Sequence, residues 1–144
     1  MKTIAQILES KAHEIITIRP SDSVLVALEV LAAYNIGALP VVESGKLVGI
    51  FSERDYARKV ALKGLTSAVT EVSDIMTGNV HCADLHHSVM DCMALMTDKH
   101  IRHLPVMDKD QLVGMLSIGD LVKTIIEDQQ FQIQQLESYI TPAL

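Results

Sequence analysis

The sequence predicts a mixed α/β (α+β) fold built as two tandem β-α-β-β-α repeats, and three observations carry that prediction. First, the chain repeats itself: Ser23-Val24 recurs 65 positions on as Ser88-Val89, and from there the halves align without a gap. Second, the aligned stretch keeps its punctuation. Leu39-Pro40-Val41 falls over Leu104-Pro105-Val106, Leu47-Val48-Gly49 over Leu112-Val113-Gly114, Ser52 over Ser117 and Asp55 over Asp120. Third, each copy changes its hydrophobic period in the same order, from helical spacing to short β-runs and back.

Each copy opens with a short extended piece, Ile15 to Ile18 and Val80 to Ala83. A helix follows, with Ser21 or Asp22 as N-cap in the first copy and Val24, Leu28 and Leu31 at i, i+4, i+7 spacing. Val89, Met93 and Met96 hold those places in the second copy, and Cys92, over Ala27, reads as a small core residue. Two β-runs come next, Leu39–Val42 and Lys46–Ser52, separated by the turn signal Glu43-Ser44-Gly45. Their counterparts are Leu104–Met107 and Gln111–Ser117, and a second helix starts at Ser52 or Ser117. A lead-in recurs as well, Ile4 to Leu8 resembling Val72 to Met76.

A copy of about 60 residues buries too little surface to be comfortably stable alone, so the two are expected to pack sheet against sheet as one unit. The boundaries read as 1–70 for the first repeat with its lead-in and linker (Lys63–Thr70), 71–130 for the second repeat, and 131–144 for an amphipathic tail. In the tail Ile133, Leu136 and Ile140 form one helical stripe that must be buried somewhere. That stripe, with exposed apolar helix faces, gives the expectation of a homodimer.

Composition bounds the function. The chain of 144 residues is 49% hydrophobic with a formal net charge of −6. An acidic balance argues against nucleic acid, whose affinity rests on Lys and Arg neutralising phosphates. No apolar run approaches the roughly 20 residues of a membrane span, and the N-terminus has no long apolar stretch of the signal-peptide type, so no membrane partner and a cytoplasmic location are expected. Two cysteines give no disulfide framework.

Residues two apart on a strand share a face, so Ile50 points with Ser52 and Met115 with Ser117. That sets an aliphatic side chain, suited to a purine, beside a hydroxyl at a helix N-terminus, where free N–H donors suit phosphate. Asp55 and Asp120 lie one turn in, where an ionised carboxylate accepts hydrogen bonds from ribose hydroxyls. Ser-x-x-Asp at a helix start is also a capping box, and the serine can do both jobs. His81, Cys82, His86 and His87 crowd one loop, but no second pair stands at a zinc spacing, and no metal is assigned. No phosphate-loop or dinucleotide fingerprint is present, no Ser-His-Asp set can be built into a triad, and no catalysis is expected.

With both Gly-x-x-Ser-x-x-Asp runs in register behind Leu-Pro-Val strands, the chain resembles the CBS domain family, in its small stand-alone, tandem-pair form. The marks include Gly49-Ile50-Phe51-Ser52-Glu53-Arg54-Asp55, Asp74-Ile75-Met76-Thr77 and Gly114-Met115-Leu116-Ser117-Ile118-Gly119-Asp120. The resemblance implies a pseudo-twofold, Bateman-type module that binds an adenine nucleotide (AMP, ATP or NAD) between the repeats, as a regulatory element acting on an unidentified protein target. It also implies that each site draws on both repeats. The stronger site joins Thr17, Ile36 and Gly37 to Met115, Ser117 and Asp120, with Arg102 and His103 resembling the basic pair that contacts phosphate in family members. The weaker site joins Cys82 and Ile101, with Arg102, to Ile50, Ser52 and Asp55. There Cys82 replaces a hydroxyl residue, Gly37-Ala38 stand where the basic pair would be, and Arg54 and Arg58 supply charge or simply a solvated helix face. The competing reading is a protein-interaction scaffold with vestigial nucleotide sites. An enzyme of the inosine monophosphate dehydrogenase type has no room here for its barrel of about 250 residues.

Overall fold

The computed structural model describes residues 1–11 and 14–140; the last four residues of the expected tail, 141–144, lie outside them. Helix α1 (Ile4–Ser10) opens the chain behind a Thr3/Gln6 capping box. The first repeat then contains α2 (Val24–Tyr34), β1 (Ala38–Glu43), β2 (Lys46–Ser52) and α3 (Glu53–Asp55), which runs on as wide π-helical turns over Tyr56–Ala61. The second contains α4 (Val72–Ile75), β3 (Ala83–Asp84), α5 (Val89–Lys99), β4 (His103–Asp108), β5 (Gln111–Ser117) and α6 (Ile118–Ile140).

The two hairpins share one register. Leu39 faces Phe51 and Leu104 faces Leu116, and each ladder slips by one residue at the same place, between Val41 and Val42 and between Val106 and Met107. Both turns need positive φ, supplied by Ser44 and Gly45 in one copy and Lys109 and Asp110 in the other. The extended pieces are shorter than the sequence suggests. Ile18 makes only an isolated parallel bridge to Val41, and the second piece pairs only at Ala83–Asp84, parallel to β4. The α2 cap is Ser23, whose side chain accepts from Val26 N, and not Ser21 or Asp22. Asp22 instead closes a turn by accepting from Arg19 N. Nor is the tail a separate element: α6 runs unbroken from the second repeat through Ile140.

Two apolar cores form, and each borrows a helix. Ile4 and Ile7 of α1 are buried with the second repeat's Val89, Leu104, Leu116 and Leu121, while Val72 and Ile75 of α4 are buried with the first repeat's Val24, Leu39 and Phe51. The lead-ins are therefore exchanged between repeats. Glycine permits it. A Cβ at Gly49 would sit 2.5 Å from Met76 Sδ, and one at Gly114 would sit 2.5 Å from Leu8 Cδ2. The glycine of each Gly-x-x-Ser-x-x-Asp run is thus the floor on which the other repeat's lead-in rests. The linker is stapled down by Thr70 O and Ser67 O, which accept from Val24 N and Leu25 N. The sheets meet along β2 and β5. Among the described residues no helix is long and apolar enough to cross a membrane.

Candidate functional site

The pseudo-twofold arrangement opens two clefts, one of about 420 Å³ against Asp55 and one of about 360 Å³ against Asp120. They share Gly37 and His103, so they meet on the pseudo-dyad. A Cβ at Gly37 would lie 3.3 Å from His103 Nε2, which is why the imidazole can cross there.

Of the residues expected at the stronger site, Ile36, Gly37, His103, Met115, Ser117 and Asp120 line the Asp120 cleft. Thr17 is exposed and lines neither cleft, and Arg102 lines the Asp55 cleft instead. Of those expected at the weaker site, Ile50, Ser52, Arg54, Asp55, Arg58, Ile101 and Arg102 line the Asp55 cleft. Cys82 does not; it is half-buried, its thiol donating a long 3.9 Å contact to Val80 O, and burial pushes its pKa up.

Both serines cap as the sequence requires, but the two aspartates differ in what remains open. Asp55 is 8% exposed and its carboxylate is filled. Oδ2 accepts from Ser52 N and Ser52 Oγ, both at 3.0 Å, and Oδ1 accepts from Lys59 Nζ at 3.0 Å and Thr77 Oγ1 at 3.2 Å. Those four bonds exhaust the roughly four acceptor positions of a carboxylate. Asp120 accepts from Ser117 N at 2.8 Å and Lys11 Nζ at 2.9 Å, both through Oδ2; among the described residues Oδ1 accepts from nothing. Burial pushes the Asp120 pKa up, but the Lys11 ammonium and the amide and hydroxyl of Ser117 outweigh it and hold the carboxyl below its ordinary value. It is ionised at neutral pH with one oxygen to spare.

Cationic charge is distributed the other way. Arg54, Arg58, Lys59 and Arg102 line the Asp55 cleft, against the carboxylates of Glu53 and Asp55. Arg54 donates to His100 O at 2.7 Å, tying the first repeat to the second, and Lys59 is held by Asp55 and Ile75 O. Arg58 and Arg102 form no ion pair among the described residues. The Asp120 cleft has Lys11 as its cation, with His103. Burial lowers the His103 pKa, Lys11, Arg102 and Arg54 lower it further, and Asp120 opposes them; the imidazole is neutral at pH 7.

Sequence reasoning missed Lys11, Lys59 and Thr77. Lys59 stands at i+4 from Asp55 and was open to a helical-spacing argument. Lys11 reaches Asp120 across 109 positions and leaves no local signal. In the histidine-rich loop His87 Nδ1 accepts from Asp84 N and the His86 backbone N donates to Asp84 Oδ1, while His81 lines the Asp55 cleft. Among the described residues no three His, Cys, Asp or Glu side chains converge as a metal site.

Comparison with known proteins gives this geometry a family. The CBS domain family matches residues 5–62 and 72–127. A relative from Arabidopsis thaliana, the mitochondrial CBS domain-containing protein CBSX3, is 36% identical over 147 residues, covering 96% of this chain and 71% of the relative. The structure of a protein with CBS domains from Burkholderia ambifaria superposes with a TM-score of 0.85 at 46% identity, covering 89% of this chain and 96% of that one. The CBS domain pair of protein MJ0100, solved with 5-methylthioadenosine and S-adenosyl-L-methionine, superposes with a TM-score of 0.74 at 27% identity over 85% of this chain and 96% of that one. The chain belongs to the CBS domain family, as a tandem pair folded into one Bateman-type module.

Proposed function

We propose that this chain is a regulatory module that binds an adenine nucleotide of the AMP or NAD type between its repeats and carries out no chemistry on it. The observation that carries the reading is the open Oδ1 of Asp120, an ionised acceptor in a cleft also lined by aliphatic Ile36 and Met115, which suit a purine, and by His103. The bound adenosine compounds in the MJ0100 pair support the ligand class. Ribose hydroxyls donate to Asp120, and the phosphate extends toward His103. From there it meets the guanidiniums of Arg102 and Arg58 in the adjoining cleft, which suit phosphate by their planar, bidentate geometry. Asp55, already filled, serves chiefly to hold its helix start.

Regulation follows if the nucleotide prefers one packing of the two repeats, because a ligand shifts an equilibrium only by its differential affinity. The test is a thermal-shift and calorimetric panel of adenosine, AMP, ATP, NAD, S-adenosylmethionine and GMP. Adenosine compounds should stabilise, by about 2.7 kcal/mol at 100 times the dissociation constant. Affinity should rise from adenosine to AMP, and the doubly substituted R58Q/R102Q protein should lose the added contribution of the phosphates in ATP or NAD while still binding adenosine. No stabilisation by any adenosine compound, or equal shifts from AMP and GMP, would remove the reading.

A further inference from the structure

The pseudo-twofold fills one position in two different ways. Ile50 and Asp55 of the first repeat correspond to Met115 and Asp120 of the second, 65 positions on. In the first repeat Thr77, just past α4, serves both: its backbone N donates to Ile50 O at 2.9 Å and its hydroxyl to Asp55 Oδ1 at 3.2 Å. In the second repeat Lys11, just past α1, does the same with one atom. Lys11 Nζ donates to Met115 O at 2.7 Å and to Asp120 Oδ2 at 2.9 Å. The difference lies in what is left over. Thr77 has spent both its N–H and its O–H, whereas an ammonium carries three N–H donors and Lys11 keeps one. Among the described residues Lys11 Nζ makes only those two bonds, and the residue lines the Asp120 cleft. Lys59 also keeps a donor in the other cleft, after Asp55 and Ile75 O, but the carboxylate it touches is full. Of the two clefts, it is the Asp120 cleft that sets a spare cationic donor beside a carboxylate with an open oxygen.

We propose, on the reading that a nucleoside occupies the Asp120 cleft, that Lys11 recognises its sugar together with Asp120 and sets a preference for ribose over deoxyribose. A vicinal diol offers a hydrogen and lone pairs on each oxygen. An ionised carboxylate can only accept, so Asp120 Oδ1 takes the hydrogens and leaves the hydroxyl lone pairs unmet. The third N–H of Lys11 supplies the missing half by donating to one hydroxyl oxygen. A carboxylate by itself accepts from any amide, amine or alcohol; a carboxylate with a donor at its side selects a group that both gives and takes. The pair is also prepared for its ligand. Lys11 Nζ is already pinned on two oxygens, so a flexible side chain has little freedom left to lose on binding. Both side chains are only about a quarter exposed, which strengthens charge-assisted bonds relative to those in open water.

Calorimetric titration of adenosine, 2′-deoxyadenosine and 3′-deoxyadenosine into the full-length wild type, Lys11→Met and Lys2→Met tests this. Lys2 precedes α1, pairs with Glu127 at 3.7 Å and lines neither cleft, so its replacement controls for the loss of one positive charge. The wild type should bind adenosine at least about tenfold tighter than either deoxynucleoside, the scale of a hydroxyl bonded to charged groups. Lys11→Met should shrink that ratio by about fivefold or more for at least one analogue, because ligand and protein then lose the two ends of one bond. Lys2→Met should leave both ratios unchanged. Thermal melts should show Lys11→Met folded, since the ion pair it removes is partly exposed. A Lys11 that only props the fold would weaken all three ligands alike; that result, a wild type indifferent to the hydroxyls, or the same shrinkage in Lys2→Met would overturn the role of Lys11 while adenosine still binds. A wild type that binds no adenosine compound would instead remove the nucleoside reading, and the role of Lys11 with it.

Discussion

Replacing Asp120 with alanine separates ligand binding from folding, because the structure divides that carboxylate between the two. Oδ2 is committed to the fold, through Ser117 N at 2.8 Å and Lys11 Nζ at 2.9 Å. Losing the capping bond costs about 1 kcal/mol. The Lys11 ion pair, with both side chains about a quarter exposed, adds less than about 1 kcal/mol. The helix start keeps Ser117 and the Ile118 N to Arg102 O bond, so Asp120→Ala should fold with its melting temperature lowered by only a few degrees. Oδ1 is committed to nothing else among the described residues, and two charge-assisted ribose bonds there are worth about 2–4 kcal/mol in all. Affinity for AMP should therefore fall by roughly 30-fold to 1000-fold. Asp55→Ala should behave oppositely. It removes a buried, four-bonded carboxylate and should cost about 1–3 kcal/mol of stability while sparing most of the affinity. Calorimetric titration and thermal melts of the wild type and both variants read the two effects separately. If Asp120→Ala binds AMP as the wild type does and Asp55→Ala abolishes binding, the allocation of roles is wrong.

Other consequences can be measured on the same protein. The folded chain keeps His103 neutral where the unfolded chain, near pH 6.5, takes up a proton, so the imidazole's contribution makes stability fall as pH drops through about 6.5; denaturant melts of the wild type and His103→Gln at pH 7.5 and 5.5 should differ in that slope. A phosphate arriving at His103 favours the protonated ring, so NAD, whose phosphates stay fully ionised, should bind with net proton uptake as the pH falls below about 6.5, seen as a dependence of the calorimetric enthalpy on buffer ionisation heat. Gly49→Ala should destabilise by about 1–3 kcal/mol, because the new methyl meets Met76 Sδ at 2.5 Å and the Thr77 carbonyl at 3.1 Å. Gly114→Ala should cost less, since it meets only the Leu8 side chain, and paired thermal melts test the order.

Internal repetition made the fold readable: both hairpins, their turns and the Ser-x-x-Asp helix starts follow from the aligned halves. The details that slipped depend on contacts between distant segments. Ser21, Asp22 and Ser23 are all competent caps, and what selects Ser23 is the linker carbonyl of Thr70 accepting from Val24 N. The extended piece ending at Ile18 shrank to one bridge because only Ile18 meets Val41. At the site, the motif residues and the arginines Arg54, Arg58 and Arg102 were legible, and the lysines were not. Lys11 and Asp120 belong to opposite ends of the chain, and Arg102 serves the cleft that its own repeat's aspartate does not line. The repeat pattern says which positions correspond, but not that Asp55 is saturated and Asp120 is not.

The exchange of lead-in helices makes the two halves interlocked tenants of one building. Cutting the chain in the linker near Gly64 would release a first fragment that carries Ile4 and Ile7, pieces of the second fragment's interior, and a second that carries Val72 and Ile75, pieces of the first's. Neither fragment could complete its own interior by staying alone, and each holds the missing part of the other. The protein is therefore suited to split-fragment complementation: the two pieces, expressed separately and mixed, should reassemble into the parent fold, while each by itself exposes apolar surface and binds a dye such as ANS. The same interlock couples the halves in unfolding, since detaching α1 opens the second interior and detaching α4 opens the first. Amide exchange in β1 and β4 should then report one shared opening event.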